Sequence, residues 1–152
     1  MKEDANAWFR STRDSLRSKK GLAMTAMGVL LIIIGAVIPI EYDFYGQPRS
    51  FLNNAKALFI LVAILLFLVV LSALSLYMQN VRISKYFALG FLFLSILLAI
   101  AGTVETVAWT AGVIDKTIDT GLGLYFMYIG TLAILAGSVA VFRESRKLPE
   151  SA

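Results

Sequence analysis

The sequence predicts an all-α fold, a four-helix transmembrane bundle running up-down-up-down with both N and C termini cytoplasmic. Three observations carry that prediction. Four apolar runs, residues 21–40, 57–78, 86–106 and 122–142, are each long enough as helices to cross a hydrocarbon core of about 30 Å. Hydrophobic residues make up 59% of the 152 and charged residues 16%, against about 25% charged in soluble domains. So large an apolar excess has to face lipid. The lysines and arginines also alternate by connection: six lie in residues 1–20, two in 79–85 and three in 143–152, but only Arg49, Lys56 and Lys116 lie between the other ends. Eleven against three is a strong positive-inside bias, which places both termini and the 79–85 connection in the cytoplasm.

Taken in order, residues 1–20 place Ala5, Trp8, Phe9, Thr12 and Leu16 on one helical face, with Arg10, Arg13 and Arg17 along another. That periodicity predicts a short amphipathic helix in the headgroup region, Trp8 and Phe9 dipped in and the three arginines near lipid phosphates. The run 21–40 is too long for a secretory h-region and lacks a small-residue cleavage site, so it reads as an uncleaved anchor. Gly28 and Gly35, seven apart, share one face and allow a neighbouring helix to approach.

Residues 41–56 form the first outer loop. Tyr45-Gly46-Gln47-Pro48 is turn chemistry, Asn53 or Asn54 can cap the next helix, and Tyr42, Phe44, Tyr45 and Phe51 suit the membrane interface. The run 57–78 is apolar on every side, with Ser72 and Ser75 expected to bond carbonyls of their own helix. The short 79–85 connection makes the second and third runs antiparallel neighbours.

The third run begins at Tyr86 and meets the interface between Thr103 and Ile114, by tilting, projecting outward or breaking near Gly102. Ser95, Ala99 and Thr103, spaced by four, form a small-residue packing strip. Asp119 or Thr120 is the expected N-cap of the fourth run, where Gly130, Ala133, Gly137 and Ala140 make the clearest packing strip in the chain. The tail 143–152 is short and begins basic. The whole is one integral membrane domain, 1–152, expected in the plasma membrane.

The chain contains no cysteine and no histidine, which excludes disulfides, thiolate metal sites and iron–sulfur clusters and removes the commonest metal, haem and acid–base side chain. No nucleotide-binding glycine loop, zinc motif or nucleophile elbow is present. No cofactor, metal, nucleic-acid partner or catalytic residue is expected, and the expected role is not enzymatic. Small multidrug transporters also have four helices, but carry their acid in the first, where this chain has none. Claudin-type tetraspan proteins share the topology, but the first loop here lacks their Trp motif and cysteines.

Glu105 is the one ionisable residue inside the third apolar run. A carboxylate in such a segment suits proton or cation binding if it is desolvated. It is an ordinary wet side chain if it marks the outer helix end. Thr103, Thr106 and Glu41 would complete an oxygen-rich ion site if the helix ends converged. Two functions fit: an accessory, assembly or scaffold subunit whose partners are the lipid bilayer and other membrane subunits or its own copies, or a small oligomeric proton- or cation-coupled transporter using Glu105.

Overall fold

A computed structural model describes residues 2–42, 45–77, 80–114 and 119–147. Four α-helices dominate: α1 (Lys2–Val37), α2 (Ala55–Tyr77), α3 (Val81–Ile114) and α4 (Leu122–Arg146). Each contains a stretch long and apolar enough to span a membrane: Lys20–Val37, Ala55–Tyr77, Val81–Ala108 and Leu122–Arg146. In hydrocarbon no water is available to satisfy backbone polar groups, and a helix satisfies them within the segment itself. The fold is that of a helical bundle fitted to a bilayer, as a small integral membrane protein requires.

α1 packs most extensively on α4, α4 on α3, and α3 on α2, with lighter contacts from α2 back to α1 and α4. The shared core is built from Ile32 of α1, Leu65, Leu68 and Leu71 of α2, Ala88 and Phe91 of α3, and Ile134 and Val141 of α4. Outside it, large apolar side chains stay exposed along the helices, among them Leu30, Phe59, Leu66 and Phe93. A helix that is apolar on every side is compatible with a lipid surround.

α1 runs without interruption through both the basic segment 1–20 and the first apolar run. The basic segment is thus continuous with the apolar run in one 36-residue helix; the side chains of Trp8, Phe9, Arg10, Arg13 and Arg17, expected to form an interfacial face, lie outside the described residues. The helix stops at Val37, before Ile40, because Pro39 has no N–H and disfavours helical backbone in the residue ahead of it. α3 likewise has no break at Gly102: it continues to Ile114 as 34 residues, roughly 51 Å, and so overreaches a hydrocarbon core. Nothing in 103–114 withdraws the backbone donors that continue a helix, and apolarity is not a condition of helix formation.

The connections that follow α1 and precede α4 are joined by a small sheet of order β2-β1-β3, comprising β1 (Glu41–Tyr42), β2 (Pro48–Arg49) and β3 (Asp119–Thr120). All pairings are antiparallel: Glu41 faces Arg49 and Thr120, and Tyr42 faces Pro48 and Asp119. The turn between β1 and β2 includes Gly46 at φ 74°, a conformation open chiefly to glycine.

The pairing corrects one expectation. Asp119 and Thr120 are strand residues, and the cap of α4 is Gly121, in extended backbone without a side-chain hydrogen bond. Gly121 N–H instead donates to the Ile40 carbonyl at 2.8 Å and Gly123 N–H to the Pro39 carbonyl at 3.1 Å, so α4 starts by bonding to the chain that leaves α1. A side chain at position 121 would collide with the Pro39 carbonyl. The starts of α2 and α3 use asparagine: the Asn54 side-chain oxygen accepts from Ala57 N–H at 3.2 Å, and that of Asn80 from Arg82 N–H at 3.1 Å.

Candidate functional site

The tightest part of the molecule is the seam between α1 and α4. Gly21, Gly28 and Gly35 recur every seven residues on α1, and Gly123, Gly130 and Gly137 do so on α4. They meet in antiparallel register. A Cβ on Gly28 would fall 2.6 Å from the Gly130 carbonyl oxygen, one on Gly35 would fall 2.6 Å from that of Gly123, and one on Gly137 would fall 2.8 Å from that of Gly21. Each distance is shorter than a carbon atom tolerates, so the two backbones touch where only hydrogen fits.

Four residues past the α1 glycines, Thr25 and Ile32 fill the spaces between successive crossings; Met127, Ile134 and Val141 do the same from α4. Thr25 is buried and its hydroxyl donates to the Gly21 carbonyl at 2.8 Å. With no water to exclude inside a bilayer, close dispersion contact of this kind is what drives helices together.

Of the residues expected to pack helices, Gly28, Gly35, Gly130 and Gly137 lie in this seam. Ala133 and Ala140 are half-buried beside it. Ser95 and Ala99 are buried on the inner face of α3, where the Ser95 hydroxyl bonds the Phe91 carbonyl at 2.7 Å. Gly21 and Gly123, which extend the seam by one crossing at each end, are not among the residues singled out from the sequence. The seven-residue spacing is the signal that finds them.

Buried hydroxyls follow one pattern. Ser75, Ser138, Ser145 and Thr131 each donate to the carbonyl three residues back in their own helix, which removes a polar group from the apolar interior. Ser84 differs by donating across to the Ser75 carbonyl of α2, closing the turn end of the α2–α3 hairpin. Ser72 is fully buried, and its hydroxyl has no hydrogen-bond partner among the described residues.

Of the residues expected at an ion site, Glu105, Thr103 and Thr106 have described side chains. Glu105 is exposed on α3. Thr103, also exposed, donates to the Ala99 carbonyl at 2.8 Å and lies 3.4 Å from the Tyr128 hydroxyl of α4. Glu41 is in β1, and its side chain lies outside the described residues. Among the described residues no group of three His, Cys, Asp or Glu side chains is placed to hold a metal ion. What α3 and α4 do bring together here is small and neutral: Gly102 beside Thr131, with the Thr106 hydroxyl turned back to the Gly102 carbonyl at 2.7 Å.

No protein-family model matches this chain, and no curated protein is similar to it at a significant level. Its physical class, a small bundle of four membrane-spanning helices, is defined by the fold alone.

Proposed function

We propose that this chain is a non-enzymatic accessory, assembly or scaffold subunit of a larger membrane complex, oriented up-down-up-down with both termini in the cytoplasm of the cell membrane. The observation that carries this reading is how unequally the helices are used. The α1–α4 seam holds the fold, while α2 and α3 present broad uncovered apolar faces on which Phe59, Leu66, Phe67, Phe93 and Val104 are all more than half exposed. Such faces take lipid or other membrane helices equally well. The test is the native mass after mild detergent extraction, with every co-purifying chain identified. Stoichiometric foreign subunits are the expected result. A lone monomer would overturn the reading.

A second reading, a small oligomeric proton- or cation-coupled transporter, is favoured by one observation: Glu105 stands on α3 between Val104 and Val107, which are 63% and 60% exposed. An ionisable group amid lipid-facing residues is costly unless it has a role. Under that reading Glu105→Gln abolishes coupled flux in proteoliposomes while the protein still folds; unchanged flux removes Glu105 from any transport role.

A further inference from the structure

On the α2–α3 hairpin two opposite charges stand in otherwise apolar surface. The Ser84–Ser75 hydrogen bond fixes the register of the two helices at their inner ends. Counted outward from that contact at 1.5 Å per residue, Lys56 on α2 and Glu105 on α3 both lie about 30 Å away, at one depth. Both are exposed. Neither has a hydrogen-bond or ion-pair partner among the described residues.

Their settings make this isolation unfavourable. Phe59 and Ile60, in the next turn after Lys56, are 76% and 57% exposed, and Glu105 is flanked by equally exposed valines. Lys56 also lies in the first turn of α2, where the helix dipole disfavours a cation. Helical periodicity turns it to the side opposite Leu65 and Ser72 and so away from the core. On α3, Gly90 has no atom within 4 Å of where a Cβ would stand, so this helix can be closely approached from outside.

A twofold axis along the membrane normal moves no residue in depth. Across an interface formed about such an axis, only groups at equal depth can meet. Lys56 and Glu105 satisfy that condition and are opposite in sign. We propose that the outer face of the α2–α3 hairpin is a self-association surface, in which Glu105 of one copy pairs with Lys56 of a second, twice in each symmetric dimer. The inference rests on the membrane-spanning reading of the four helices, and it names one partner, a second copy of this chain, for a face that the proposed function leaves open.

The test is zero-length carbodiimide coupling of carboxylate to amine, applied to the full chain in phospholipid vesicles. The expected result is a covalent dimer whose yield falls at least tenfold in Glu105→Gln and in Lys56→Gln. Co-reconstituting the two variants with different tags restores coupling between unlike chains only, because that combination alone keeps one acid–lysine pair.

A second measurement is independent of charge. The chain has no cysteine, so an Ala101→Cys chain mixed with an Ile60→Cys chain, each altered one turn inward of its charge, reports proximity by forming a disulfide between unlike chains. A product that stays monomeric, a dimer indifferent to both charge substitutions, or Ala101→Cys and Ile60→Cys chains that never link to each other would each overturn the proposal. Native complexes containing other subunits but single copies of this chain would overturn it while leaving the scaffold reading intact. Release of the protein from membranes by alkaline carbonate would instead defeat the membrane-spanning reading beneath both.

Discussion

Along α1 and α4 the two backbones touch, glycine to glycine, whereas α2 meets the rest of the bundle through the side chains of Leu65, Leu68 and Leu71. Of the membrane-spanning stretch of α4, 39% is buried; of that of α2, only 17%. Yet α2 is the more uniformly apolar helix of the two. In water such a helix would be the most deeply buried, because removing apolar surface from solvent is what stabilises the fold. In lipid that preference disappears, and closeness of approach decides which helices associate. The least greasy helices, each with three glycines in its seam, therefore hold the bundle together, and the greasiest one faces outward.

The contrast can be broken by substitutions read as reversible unfolding in mixed micelles. Gly28→Leu should have the largest effect, a loss of about 3 kcal/mol or more, since the added side chain must force the α1 and α4 backbones apart. If it costs no more than a change on the outer face of α2, the seam is not what stabilises the bundle. Ile134→Ala, in the fully buried position between two glycine crossings, should cost about 2 kcal/mol, mostly for the cavity left behind. Gly90→Ala sharpens the comparison by its sign. A methyl group there meets nothing within the protomer, so better helix propensity should stabilise the monomer by about 0.5 kcal/mol, where the same change at Gly28 destabilises it. Leu66→Ala, 62% exposed on α2, should stay within about 0.5 kcal/mol of the parent.

The four spans are legible in the sequence because hydropathy over some twenty residues is a strong signal that no tertiary contact can reverse. Four of the six seam glycines are legible too. Gly28 and Gly35 announce a close-packed face, and Gly130 and Gly137 another, by spacing alone. Gly21 and Gly123 are harder to see, since the first sits at the edge of its apolar run and the second beside Gly121, where glycines read as part of a turn. The sheet cannot be read at all: strands of two residues carry no periodicity, and Asp119 and Thr120 look like helix caps until Glu41 and Tyr42 are brought beside them. The candidate ion site is legible only as composition. The sequence marks Glu105 as unusual, but which groups stand beside it depends on how the helices cross.

By itself, then, the sequence determined the class of protein, the number of membrane-spanning helices and the faces able to touch closely, because each depends on residue type at fixed spacing along one helix. Which faces meet was decided only in the tertiary structure. Small-residue strips occur on the first, third and fourth runs, and several pairings are open to them. The antiparallel α1–α4 register wins because it sets three glycines against three at matching seven-residue intervals and lets the Gly121 and Gly123 amides bond the carbonyls of Ile40 and Pro39, so backbone contact extends along the whole seam.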